Sequence, residues 1–149
     1  MEAEVYPAPA VTALIEEQFI PVRVHVKENP KAWHRFGVRW TPTVMIATPD
    51  GTEVRRVEGF LPEEDLLGQL ELGLGYLAAN RKDWPTAERW FHAASKREKT
   101  DAGPEGLYWE GVAQYSASHD HTVLPKLRDR VTARYPNTSW ARRSVVWGG

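Results

Sequence analysis

The chain has 149 residues, with 19 Lys and Arg against 20 Asp and Glu and a formal charge of −1. That length suits one ordinary domain or two small ones, and the even charge, free of basic or acidic runs, points away from nucleic acid as a partner. At 42% hydrophobic and 26% charged it has the composition of a folded soluble protein. No apolar run reaches the roughly 18–20 residues of a membrane span. The acidic start Met1-Glu2-Ala3-Glu4 lacks the apolar stretch of a secretory signal, so no membrane contact and a cytoplasmic location are expected. The cysteine count is zero, which excludes disulfides, thiolate metal sites and cysteine nucleophiles. The seven tryptophans predict many bulky packing anchors.

Apolar residues at Val11, Leu14, Ile15 and Phe19 have helical spacing and predict a helix over Thr12 to Phe19. In Phe19 to Val26, Val22, Val24 and Val26 alternate with Arg23 and His25, which predicts a strand with one buried face. Pro21 is tolerable near its start. Asn29-Pro30 supplies an N-cap and a first-position proline for a short helix that stops at Gly37. Val44 to Ala47 reads as a buried strand, Pro49-Asp50-Gly51-Thr52 as a turn, and Glu53 to Val57 as the returning arm of a hairpin. After the break at Gly59, Pro62-Glu63-Glu64-Asp65 opens a long helix whose acidic first turn suits the helix dipole. Leu66, Leu67, Leu70, Leu74 and Leu77 run along a stripe of that helix to Asn80.

Beyond it the pattern is helical throughout. Helices are predicted from Trp84 or Pro85 to Arg97, from Leu107 to Ser118, from Val123 to Tyr135 and from Ser139 to Trp147, with a loop at Thr100 to Pro104. Short polar breaks between helices are the pattern of a helical repeat.

The first half resembles the thioredoxin-like superfamily. The residues that carry the resemblance are Phe19 to Val24, Asn29-Pro30, Arg35 to Thr43, the Pro49-Asp50-Gly51 hairpin and Val57-Glu58-Gly59-Phe60, in the family's order. Its most specific piece is Gly37-Val38 followed by Thr41-Pro42-Thr43. The resemblance implies that Pro42 occupies the place of a cis-proline that faces the redox cysteines, with the backbone before it pairing with extended substrates. It also implies that Met1 lies where family members have an internal methionine. The first strand and the Cys-x-x-Cys would then fall before it, and no catalytic residue is carried over. In the family that strand lies between the equivalents of Phe19–Val26 and Thr43–Thr48. Its absence would leave inner edges open to a partner strand, including one from a second copy.

The second half resembles tetratricopeptide-type helical hairpins. Gly75, Ala87, Phe91 and Ala94 carry this, with a weaker unit at Gly111, Ala113, Tyr115, Leu124 and Leu127 and a boundary at Tyr135 to Ser139. Such repeats are about 34 residues long and normally come in threes or more. One and a half to two units imply that these helices lean on the first half.

Other candidates have plainer readings. His119 and His121 flank Asp120, but no further ligand stands at usable spacing, so a solvated turn is expected. His25, His34 and His92 lack a local catalytic partner. Lys96-Arg97 and Arg142-Arg143 read as solvated pairs, and Gly73 and Gly75 as close-packing positions in a helix. Trp40 could contact a bound peptide or cover apolar surface left by the missing strand.

The expected fold class is α/β followed by α: an incomplete thioredoxin-like domain over residues 1–80 and a tetratricopeptide-like helical region over 81–149, sharing the helix 62–80. The expected function is a non-catalytic binding module that takes a protein or peptide through Trp40, Thr41 and Pro42, with no metal or cofactor and a possible homo-oligomer through the sheet edge. The competing reading is a thiol-disulfide oxidoreductase whose cysteines lie upstream of Met1.

Overall fold

A computed structural model describes residues 1 and 3–148. Among them are seven α-helices and two strands: α1 (Pro9–Gln18), α2 (Pro30–Arg35), β1 (Thr43–Ala47), β2 (Glu53–Glu58), α3 (Glu63–Asn80), α4 (Trp84–Ser95), α5 (Ala102–Ser118), α6 (Val123–Arg134) and α7 (Ser139–Ser144). A 3₁₀ turn over Val145–Trp147 follows.

Local chemistry accounts for most boundaries. The Asn29 side chain accepts from the Ala32 N–H, and Pro30 needs no partner for its missing donor, so α2 starts there. Gly37 adopts a φ of 57°, a left-handed conformation costly for other residues, and the chain turns away from α2. In the hairpin, β1 and β2 pair antiparallel with Thr43 opposite Glu58 and an irregularity between Ile46 and Ala47. At its tip the Asp50 carboxylate accepts the Thr52 N–H at 3.0 Å and the Thr48 hydroxyl, which hold its pKa down to about 2.

The strand expected over Phe19 to Val26 does not form. Residues 19–25 have no regular secondary structure, and the sheet consists of β1 and β2 alone. Strand pattern is no substitute for a strand to pair with: an isolated extended segment gains no ladder hydrogen bonds. Ile20 is consequently 93% exposed and Val22 79%.

The long helix α3 differs from the single stripe its leucines suggest. Every residue from 66 to 75 is buried, because α3 is covered on both sides. Leu66, Leu67 and Leu70 pack with Val5, Val11 of α1 and Ile46 of β1, while Leu72 and Ala78 pack with Ala87 and Phe91 of α4 and with Ala102 and Ala113 of α5. A helix buried around its whole girth is an interior helix, and its buried polar residues then need partners. A third cluster, Leu107, Leu127, Val131 and Ala141, joins α5, α6 and α7.

Glycines set the closeness of these helices. A Cβ on Gly73 would meet Ile46, one on Gly75 would meet Phe91, and one on Gly111 would meet Leu127. The pairs Gly75–Phe91 and Gly111–Leu127 are both sixteen positions apart, so α3–α4 and α5–α6 repeat one packing device. Helix α5 starts at Ala102, inside the expected loop. Pro104 fits in its first turn, where no intrahelical donor is needed, and Gly106 lets α5 approach the backbone of α4. A Cβ there would lie 2.6 Å from the Ser95 nitrogen and 2.8 Å from the Phe91 carbonyl oxygen.

Two arginines meet the polar side chains that α3 buries. Arg55 of β2 donates from Nε to Gln69 Oε1 at 2.6 Å and in bidentate fashion to Glu105 of α5 at 2.8 and 3.0 Å. The Tyr76 hydroxyl adds a 2.6 Å bond to Glu105. Arg97, expected to be solvated, instead forks onto buried Glu71 at 2.7 and 3.2 Å and reaches Glu64 at 2.8 Å. Its guanidinium pKa is pushed up, first by the Glu71 hydrogen bonds.

Glu105→Leu should destabilise the protein by about 3–5 kcal/mol in urea denaturation, since it strands the Arg55 charge. Arg55→Met combined with Glu105→Leu should recover most of that loss. Gly106→Ala should lower stability by about 1–3 kcal/mol despite its better helix propensity, because backbone atoms cannot give way.

Burial and then the Glu105 charge push the Tyr76 phenol well above its ordinary 10.0. A raised folded value means its stabilisation is complete below 10.0 and declines as pH rises above it. The stability gap between the wild type and Tyr76→Phe, measured by urea on both sides of 10.0, should therefore shrink at the alkaline end.

Candidate functional site

The candidate surface is built where α2 gives way to β1. After Gly37, the Val38 N–H donates to the Trp33 carbonyl at 3.1 Å, which anchors the outgoing loop. The Thr43 hydroxyl donates to the Trp40 carbonyl at 2.7 Å, folding the loop over itself ahead of the strand. The Thr41–Pro42 peptide bond is cis. The Pro42 carbonyl accepts the Gly59 N–H at 2.7 Å, which closes the base of the hairpin. Gly59 has a φ of 103°, a conformation open mainly to glycine.

Trp40 is 67% exposed, and Phe60, which follows the Gly59 bonded to Pro42, is 57% exposed. Trp84 and Trp109 border the α3–α4–α5 core, and Trp140 and Trp147 border the α5–α6–α7 core. Trp40 alone of the tryptophans is among the largely exposed bulky apolar residues. Arg39 lies 3.5 Å from Glu58 across the hairpin base, a solvent-facing pair of small energetic weight.

Trp40, Thr41 and Pro42 thus sit together at the entrance to β1. Along one side β1 is paired with β2; its other long edge has no partner strand among the described residues. Sequence reasoning missed Phe60. Its only signal was the Gly59 turn that opposes Pro42.

The remaining candidates disperse. The His119 and His121 rings lie tilted to Tyr115 at 6.4 and 5.4 Å between ring centres, on the polar turn ahead of α6. Among the described residues no group of three or more His, Asp or Glu is arranged to hold a metal. His92 does find a carboxylate: its Nδ1 lies 3.3 Å from Glu110, which also meets Arg130 at 3.4 Å. Those partners are distant in sequence, which is why no local pattern announced them. They belong to α4, α5 and α6. Arg143 lies over the Trp140 ring at 4.3 Å, so it too is engaged in packing.

A cavity of about 200 Å³ lies between the end of α1 and α3–α4, lined by Gln18, Leu74, Leu77, Arg81 and Trp90 among others. It falls below the roughly 300–1,000 Å³ of small-molecule sites. No described helix is long and apolar enough to cross a membrane.

Residues 1–73 match the family model of a thioredoxin-like domain. No curated protein and no solved structure matches the chain. The matched stretch ends inside α3, and the helices from α4 onward lie outside it.

Because their side chains stand in solvent, Trp40→Ala and Phe60→Ala should each change stability by no more than about 0.5 kcal/mol. Thermal or urea denaturation checks this.

Proposed function

We propose that this thioredoxin-like domain is a non-catalytic binding module for a protein or peptide, with Trp40, Thr41 and Pro42 as contact residues and Phe60 beside them. The observation that carries the reading is the exposure of Trp40, two residues before Pro42, and of Phe60, next to the Gly59 that bonds Pro42, at the head of a strand with one edge unpaired among the described residues, in a chain without cysteine. Aromatic anchors at the rim of a strand edge suit an extended chain: rings supply apolar contact and the edge supplies backbone hydrogen bonds. The helices from α4 onward fit a tetratricopeptide-like extension, a reading supported by the repeated Gly75–Phe91 and Gly111–Leu127 packing. In this reading the protein works in the cytoplasm and uses neither cofactor nor nucleic acid.

A second reading rests on the exposed, strand-patterned Ile20, Val22 and Val24. A sheet deprived of a strand would leave such residues bare, and a thiol-disulfide oxidoreductase whose Cys-x-x-Cys lies upstream of Met1 would supply that strand. An in-frame Cys-x-x-Cys encoded just before Met1 would favour it.

The binding reading is tested with carboxymethylated, permanently unfolded α-lactalbumin as the probe in isothermal titration. Binding is expected, weakened about tenfold or more by the double change Trp40→Ala and Phe60→Ala, equivalent to about 1.4 kcal/mol. Insulin disulfides should not be reduced by the 149-residue chain. Equal binding by the double variant, or none by the wild type, would sink the proposal.

A further inference from the structure

The irregular register of the hairpin decides which of its charged side chains share a face. Ile46 lies opposite Arg55 and Ala47 opposite Glu53, so Val54 is an extra residue in β2. Successive side chains of a strand leave opposite faces, and an extra residue resets that alternation. Arg55 reaches α3 and α5, whereas Glu53 and Arg56, three positions apart, meet each other. Glu53 accepts from Arg56 Nε at 3.0 and 3.1 Å and also from Nη2. The guanidinium held in this way turns to the end of α2. There the Phe36 carbonyl accepts from Nη2 and the Gly37 carbonyl accepts from Nη1 at 3.4 Å. A helix end leaves such carbonyls without intrahelical donors, and a cation beside them is favourable.

Little else joins α2 to the hairpin. None of its residues is buried, and none belongs to the three apolar clusters. Among the described residues, Arg56 alone carries hydrogen bonds from the hairpin to residues 30–37. Arg39 pairs with Glu58 further along, but its side chain is 82% exposed, and a pair so open to water weighs little. The Arg56 side chain is 20% exposed.

The loop after Gly37 is the one that carries Trp40. Its far end is fixed by the Thr43 bond to the Trp40 carbonyl and the Gly59 bond to the Pro42 carbonyl. Its near end is tied to α2 by the Val38 bond to Trp33, and α2 is tied to the hairpin by Arg56. Removing Arg56 therefore leaves the far end fixed and frees the near end together with α2.

Resting on the binding reading above, we propose that Arg56, braced by Glu53, is a positioning residue for that surface. It holds the end of α2 against the hairpin and so keeps residues 37–42 in the shape that a partner meets. A site whose competent shape is populated only part of the time binds with its affinity cut by that fraction. The loss falls on association, because the bound complex keeps its contacts.

The test compares Arg56→Met with the wild type in the 149-residue chain, with carboxymethylated α-lactalbumin as the probe. Binding kinetics give the association and dissociation rates, amide hydrogen exchange reads residues 38–41, and urea denaturation reads stability. The expected result is a folded variant that associates about fivefold or more slowly, dissociates at the wild-type rate and exchanges faster over 38–41. Lower stability with wild-type association and exchange would mean a purely structural role and overturns the proposal. Slower association without faster exchange overturns it too, since a lost charge alone would do that. Should Arg56→Met fail to fold, Arg56→Gln decides by the same readings. If the double change Trp40→Ala and Phe60→Ala abolishes binding while Arg56→Met leaves it intact, this proposal falls and the binding reading stands. No binding by the wild type brings down both.

Discussion

The structure turns on a single guanidinium. Arg55 projects from the hairpin, bonds Gln69 on α3 and grips Glu105 on α5, with Tyr76 bonded to the same carboxylate. The side chains of Arg55 and Glu105 are only 17% and 12% exposed. Charges that far from water are tolerable only with their hydrogen-bonding capacity filled. That requirement is directional, whereas apolar packing is not, so the fork fixes how the hairpin meets the helices. Arg97 repeats the logic at the other side of α3, holding Glu71 from the end of α4.

Between these two clamps α3 becomes the spine of the molecule. It belongs to the core of α1 and β1 by Leu66, Leu67 and Leu70, and to the core of α4 and α5 by Leu72 and Ala78. Gly73 and Gly75 let both neighbours come close. Order thins away from this spine. Residues 20–25 form no strand and are exposed, as are Trp40 and Phe60.

Much of this was legible in the residues. Asn29-Pro30, Gly37 and Asp50-Gly51 each impose a local geometry within a few bonds, and the helix and hairpin boundaries follow them closely. The cluster of Trp40, Thr41 and Pro42 was visible for the same reason, being contiguous. Phe60 was not, since its place depends on a hydrogen bond between Gly59 and Pro42 across the hairpin. The early start of α5 was hidden by Gly103, Pro104 and Gly106, which look like loop residues until α4 is present to reward their small size. Val22 to Val26 failed the opposite way: the pattern is right for a strand, but pairing is a property of two segments.

The amino-acid sequence by itself determined most of the local elements, the absence of cysteine from these 149 residues and the likeness to a thioredoxin-like domain around Pro42, because these depend on side-chain chemistry at short range. Only the tertiary structure decided that Arg55 and Arg97 are half-buried clamps, that α3 is buried all round from residue 66 to 75, and that one edge of β1 is unpaired among the described residues. Each of those depends on which distant group arrives, or does not arrive, at hydrogen-bonding distance, and no local pattern carries that information.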